Sequence, residues 1–262
     1  MSYDTLQIER RRGALAIWLN RPSVRNAFND SVISELACAV GEAGEDPSVR
    51  AVLLAARGDV FSSGADLNWM QAMADYSLEE NRADAERLAQ MLNLIYICPK
   101  PVIARIQGDC YAGGVGLAAA CDIAVAAQEA KFCLSEVRLG LIPATVSPYV
   151  IRAMGERTAA RYMLTAEVFA AEEAHRTGLV QVCVPREGLD AEVDRMLAHF
   201  ERASPNALRA AKRLAQEIAG RPIDAALIAD TAERIALARA SDDGREGVRA
   251  FLEKRRPRWQ SP

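Results

Sequence analysis

Three stretches of this chain combine groups that could act on a carbonyl compound. The first is Gly113-Gly114-Val115-Gly116, where a turn runs into a helix of small residues. The first N–H groups of a helix have no acceptor inside it, and the dipole there favours negative charge. A glycine at that point lets an oxygen with developing charge reach the backbone, as an oxyanion hole requires. The second is Phe61-Ser62-Ser63-Gly64-Ala65-Asp66-Leu67, a loop turning into another helix start. Its Ser63 N–H, just before Gly64, could serve the same oxygen as the Gly113 N–H. The third is Glu136, a lone carboxylate between Leu134 and Leu139 in an apolar run that Pro143 ends. Apolar surroundings raise a carboxylate's pKa towards working pH, which suits it to general acid–base chemistry.

Each stretch has a plainer reading that the residues alone leave open. Glycines at a helix start also make room for close packing. Gly64 also suits an ordinary strand-to-helix turn, with Asp66 as a helix N-terminal residue favoured by the dipole. Glu136 could pair with Arg138 at the surface, where an ion pair contributes little. Ser62, Ser63, Asp122 and His175 hold the side chains of a serine hydrolase. There is no GxSxG elbow, however, and His175 falls in AEEAHRTGLV, a helix-end pattern. The glycine spacing matches neither GxGxxG nor the phosphate loop. His175 and His199 have no partner at metal-ligand spacing, so no metal site is expected. Tyr111, Trp69 and Met70 read as pocket or core residues.

The elements that must position these groups alternate in type. Leu6–Glu9 and Leu15–Leu19 read as strands joined by a turn near Gly13. Asn29 or Asp30 caps a helix with Ile33, Leu36, Ala37 and Val40 on one face. Ala51–Ala56, Pro101–Ile106, Ile123–Ala127 and Lys131–Leu134 read as further strands. Helices are expected at about 78–97 and 114–121. Strands alternating with helices imply an α/β fold with a largely parallel or spiralling sheet. After Ser204-Pro205 only helical stripes follow: Leu208, Ala211, Leu214, Ile218; Ile223, Leu227, Thr231, Ile235; and Val248, Phe251, Leu252. The expected division is a core over residues 1–200 and a helical appendage over 201–262.

Composition narrows the class. The 262 residues are 50% hydrophobic and 26% charged, with a net charge of −3, which supports neither nucleic-acid nor membrane-surface binding. There is no 18-residue apolar run, and the N-terminal MSYDTLQIERRR lacks the apolar region of a signal peptide. The six cysteines form no CxxC pair and read as reduced thiols. A cytoplasmic location is expected.

Taken together, LNRPSVRNAF (19–28), FSSGADL (61–67), GDCYAGGVGLAAACDIAVAA (108–127), LSEVRLGLIP (134–143) and LTAEVFAAEEAHRTGLV (164–180) resemble the enoyl-CoA hydratase/isomerase, or crotonase, superfamily, in order and spacing over nearly the whole chain. The resemblance implies a spiral ββα core, then helices that pack in a homotrimer or a dimer of trimers. It implies an acyl-CoA thioester substrate and no cofactor beyond the coenzyme A that the substrate carries. It places the thioester oxygen between the N–H groups of Ser63 and Gly113, lined further by Tyr111, Gly114 and Gly116. It runs the CoA past Arg25, Ala27, Ala65, Asp66 and Leu67. Phe251 and Lys254 of FLEKRRP would reach a neighbour's pocket.

The hydratases of this superfamily use two glutamates. One matches Glu136; the other falls twenty residues earlier, at Gly116, which has no side chain. A single glutamate is the isomerase pattern. LSEVRLGLIPATVSPYVIRAMGERTAARYMLTAE (134–167) resembles instead the bacterial hydratases of methylglutaconyl-CoA and isohexenylglutaconyl-CoA. That branch implies a carboxylated acyl chain, with Arg138 or Arg152 as its cation. The leading expectation is a hydratase of a short or branched enoyl-CoA, carboxylated chains included. An isomerase and a non-catalytic acyl-CoA binder are the alternatives.

Overall fold

The computed structural model describes residues 3–260. Strands β1 (Leu6–Arg11) and β2 (Ala14–Leu19) form an antiparallel hairpin over the two-residue turn Arg12-Gly13, where both residues have positive φ. That turn geometry matches the twist of the strands it joins. Helix α1 (Asp30–Glu45) starts at Asn29, whose side chain accepts from the Val32 N–H. β3 (Ala51–Ala56) follows, then α2 (Leu67–Met73) and α3 (Leu78–Ile97). A reciprocal Ser77–Glu80 capping box begins α3.

After β4 (Val102–Ile106) the chain leaves the main sheet for β5 (Cys110–Tyr111) and α4 (Gly113–Ala120). It returns as β6 (Ile123–Ala127) and leaves again as β7 (Lys131–Cys133) and a 3-10 turn over Glu136–Leu139. Next come α5 (Ser147–Met154), α6 (Glu156–Thr165), β8 (Phe169–Ala170), α7 (Ala171–Arg176), β9 (Val182–Val184) and α8 (Leu189–Arg202). Three helices close the chain: α9 (Pro205–Ile218), α10 (Ala225–Ala240) and α11 (Asp242–Leu252).

The main sheet runs β1-β2-β3-β4-β6-β9 and is parallel from β2 onward. Both faces of such a sheet are covered, and all six residues of β3 are buried. Alternate side chains enter two cores. Ile17, Leu19, Val52 and Leu54 face the larger core under α1, α3 and α4. Trp18, Leu53, Ile103 and Val125 face the smaller one, closed by Leu189, Val193 and Leu197 of α8.

A second sheet, β5-β7-β8, stands apart from the first. Two single bridges extend its pairing, Phe28 with Ala65 and Ser62 with Cys110. These bridges set the chemistry-bearing loop between two other segments of the chain.

The C-terminal helices follow the sequence stripes with one exception. Ile223 lies before α10, because the helix starts only after Asp224, whose side chain accepts from the Leu227 N–H. α9 is tied to the core by Lys212 Nζ to Asp122 Oδ2 at 2.7 Å and by Gln216 Nε2 to the Tyr96 carbonyl at 2.7 Å. α10 buries only Leu227, while Ile228, Ile235, Leu237, Val248, Phe251 and Leu252 are exposed. The short strands β5, β8 and β9 and the helices α5, α6 and α8 have no counterpart in the sequence reading. The strands are too short to show a period of their own, whereas α8 carries Leu189, Val193 and Leu197 at helical spacing, a stripe that the sequence reading passed over.

Candidate active site

The loop that carries Ser63 is held from both sides by backbone hydrogen bonds. Phe28 N–H donates to the Gly64 carbonyl at 2.7 Å, and Asp66 N–H donates to the Phe28 carbonyl at 2.8 Å. On the other side, Tyr111 N–H donates to the Ser62 carbonyl at 2.9 Å, and Ser62 N–H to the Asp109 carbonyl at 3.2 Å. Asn26 is the anchor that the sequence reading missed. Buried and with positive φ, it accepts from the Arg21 N–H and donates to the carbonyls of Arg57 and Val60. Short amides adopt that left-handed conformation more readily than most residues, and an asparagine in a turn was the one available signal.

Gly64 brings the loop against the start of α4. Its φ is +90°, and a Cβ there would lie 2.9 Å from the Ala112 Cβ. Ala112 itself has φ 48° and ψ −116°, a conformation that costs an alanine about 1–3 kcal/mol. It reverses the chain between β5 and α4. Among the described residues, the N–H groups of Gly113 and Gly114 then donate to no acceptor. Ser63 N–H, by contrast, already donates to the Arg25 carbonyl at 3.1 Å. The packing reading of the glycines also holds, because Phe28 and Ser62 pack directly on Gly113 and Gly114.

Glu136 begins the 3-10 turn after β7 and does not pair with Arg138. Its Oε2 is buried with no hydrogen-bond partner among the described residues. Burial pushes its pKa above the ordinary 4.5, opposed only by its own backbone N–H. Orphaned buried oxygens are uncommon, and one on a carboxylate beside a cavity marks a candidate functional group.

That cavity, of about 480 Å³, is where the candidates meet. Ser63, Ala65 and Gly113 line it with Phe28; Ser135, Glu136 and the loop from Leu139 to Val146 form a second wall; α2 and α3 supply Trp69, Met70, Met73, Asn81, Asp84 and Leu88. Gly116 is not an empty place. A Cβ there would lie 2.2 Å from Val146 Cγ1 and 2.8 Å from Val146 Cβ. The valine occupies the position where a second carboxylate was expected to belong.

Several expected residues do other work. The Asp66 carboxylate caps α2 through the Asn68 N–H and pairs with Arg21 Nη2 at 2.9 Å. Burial alone would raise its pKa, but these hydrogen bonds outweigh burial and lower it. Ala27 is buried, and its carbonyl accepts from Arg21 Nη1. Arg25 is exposed and pairs with Asp109 at 3.0 Å; Leu67 is fully presented to solvent at the loop's end. Tyr111 is half-buried and does not line the cavity. Phe251, 82% exposed, and Lys254 lie on the C-terminal helical piece, outside the cavity lining. Arg138 and Arg152, proposed as partners of a substrate carboxylate, do not line the cavity either; Arg152 lies over Tyr96 instead. The hydrolase set is dispersed: Ser62 Oγ donates to the Asn26 carbonyl, Asp122 pairs with Lys212, and His175 contacts the Val180 carbonyl.

Comparison with known proteins agrees with this architecture. The family profile described as enoyl-CoA hydratase/isomerase matches residues 9–262. The chain belongs to that family and has the crotonase fold. It is 34% identical to the crotonyl-CoA hydratase of Syntrophomonas wolfei, over all of both chains. It is 33% identical to the 2,3-dehydroadipyl-CoA hydratase of Escherichia coli, over 96% of this chain and 97% of the other. The crystal structure of an enoyl-CoA hydratase from Shewanella pealeana superposes with a TM-score of 0.96 at 40% identity, covering 98% of this chain and 97% of that one.

Two outcomes follow. A carboxyl whose folded pKa is raised stabilises the fold below its unfolded pKa, and that stability is lost as pH rises through the folded value. Glu136→Gln should therefore gain melting temperature relative to the native chain as pH rises from below 4.5 to neutrality. A difference independent of pH would remove the buried-carboxyl account. Gly116→Glu should destabilise by about 1–3 kcal/mol or more through overpacking. Adding Val146→Ala should recover part of that loss in urea unfolding; an equal or greater loss in the double variant would show that Val146 is not the obstacle.

Proposed function

We propose that the chain is an enoyl-CoA hydratase acting on short or branched acyl chains. The observation that carries this reading is the unpartnered, buried Oε2 of Glu136 in the same cavity as the undirected Gly113 N–H. The thioester oxygen would accept from Gly113, and from Ser63 if its N–H is shared with or released from the Arg25 carbonyl. Each such donor contributes about 2.7–4 kcal/mol to the transition state. Glu136 would take a proton from water as the oxygen adds to C3, and the enolate would form on the thioester. The same carboxyl would then return the proton to C2, leaving a 3-hydroxyacyl-CoA. CoA would pass the exposed Arg25 and Leu67 and the backbone at Ala27 and Ala65, with Asp66 holding that loop from inside. No cofactor is needed for these steps.

One observation favours a second reading. Val146 over Gly116 leaves a single carboxyl near the reacting carbons, enough to move a proton between C2 and C4. That is the reaction of a Δ3,Δ2-enoyl-CoA isomerase. The test is turnover of 2-enoyl- and 3-enoyl-CoA in 18O-labelled water. Labelled 3-hydroxyacyl-CoA from the 2-enoyl substrate, reduced about 10²–10⁴-fold in Glu136→Gln, supports the hydratase. Unlabelled 2-enoyl product formed only from the 3-enoyl substrate assigns the isomerase. CoA-ester binding without turnover on either leaves a non-catalytic binder.

We also propose that residues 201–262 build a homotrimer, or a dimer of trimers, and that Phe251 and Lys254 reach a neighbouring subunit's CoA. The exposed apolar residues of α10 and α11 support this, since monomers rarely expose such a patch. Phe251→Asp should shift the sedimentation of the native assembly towards smaller species. A native chain that sediments as a monomer would refute the assembly.

A further inference from the structure

We infer that Asp84 sets the acyl selectivity of the cavity, admitting uncharged chains and rejecting those that end in a carboxylate. This rests on the acyl-CoA reading above. The ionisable side chains that line the cavity, among the described residues, are Asp84 and Glu136, both acids; no arginine, lysine or histidine lines it. Asp84 is 4% exposed and sits on α3 amid Trp69, Met70, Met73, Ala85 and Leu88.

The hydrogen bonds at this end leave acceptors only. Asp84 Oδ1 takes the Trp69 Nε1–H at 3.3 Å and Arg87 Nη2 at 2.8 Å, while Oδ2 has no hydrogen-bond partner among the described residues. The Asn81 amide gives its two N–H groups to the carbonyls of Tyr76 and Ser77, at 3.1 and 3.2 Å. Both neighbours are acceptors, so the amide nitrogen must face them and Oδ1 is what remains. The one indole donor is already used by Asp84. While Asp84 is ionised, the form that Arg87 and the Trp69 N–H favour against burial, a carboxylate placed here would meet Asp84 Oδ2 and Asn81 Oδ1 with no donor from either residue or from Trp69.

Arg87 offsets the Asp84 charge from outside. It is half-exposed, is shared with Asp30, and does not line the cavity. An apolar chain needs no donor and fits the surrounding methionines. The carboxylated acyl chains expected from residues 134–167 therefore lack a cation in this cavity, and Asp84 opposes them. The relatives do not choose between the two, since the names of two of them specify crotonyl-CoA and 2,3-dehydroadipyl-CoA at nearly equal identity.

The experiment is calorimetric binding of hexanoyl-CoA and adipyl-CoA, unreactive saturated esters with six-carbon acyl chains. The native protein should bind hexanoyl-CoA about tenfold or more tightly over adipyl-CoA, the scale expected of an uncompensated like-charge contact. Asp84→Asn, which keeps an acceptor for Trp69 and adds a donor, should shrink that ratio about fivefold or more by strengthening adipyl-CoA binding alone. Asp84→Ser serves the same purpose if the asparagine variant does not fold, and the native ratio decides if neither does. Equal affinity of the native protein for both esters overturns the inference and leaves the acyl-CoA reading intact, as does an unchanged ratio in a folded variant. Failure to bind either ester overturns the acyl-CoA reading itself.

Discussion

The structure depends on the contact of the 61–66 loop with the turn at Ala112. A positive-φ glycine on one strand-like segment touches a strained alanine on another, with no space for a methyl group between them. Everything that could act on a substrate is referenced to this junction. On one side, Phe28 and Asn26 hold the loop; on the other, Cys110 and Tyr111 hold it through the small second sheet. Backbone pairing fixes these distances more tightly than side-chain packing could, because each N–H and carbonyl has one direction. The main sheet, buried on both faces, supplies the rigid support from which both segments leave.

The energetics of the site run against the stability of the fold. Ala112 is held in a conformation it disfavours, and Glu136 keeps an oxygen buried with no donor. Both are destabilising by themselves and persist only because the surroundings determine them. Two cores and the extensive parallel pairing offset them. The same burial that costs stability raises the pKa of the Glu136 carboxyl above its ordinary value.

Much of this was legible in the chain. The alternation of Ile17 and Leu19 with Trp18, the wholly apolar Ala51–Ala56 and the stripe through α3 each predicted the element that forms, because periodicity is a local property. Glu136 and the glycine turn were legible as residues able to do chemistry. Asn26 was not, since its role is to bridge segments distant in sequence. The helix N-terminal role of Asp66 was legible, but not that Arg21 occupies an oxygen of both Asp66 and Ala27. Arg138 and Arg152 were read as candidate cations because the resemblance of residues 134–167 implied a carboxylated acyl chain, and neither lines the cavity.

Gly116 separates the two kinds of information most clearly. The sequence by itself determined that no carboxylate stands at that position, that Glu136 remains, and that strands and helices alternate around them. Only the tertiary structure decided that the space is filled, by a valine thirty residues away whose methyl group sits where a Cβ would be. Likewise it decided that Asp84, from another helix, lines the same cavity as Glu136. The physical reason is the same in both cases. Residue type and spacing fix what a group can do, but which groups share a cavity depends on packing between segments that carry no local record of one another.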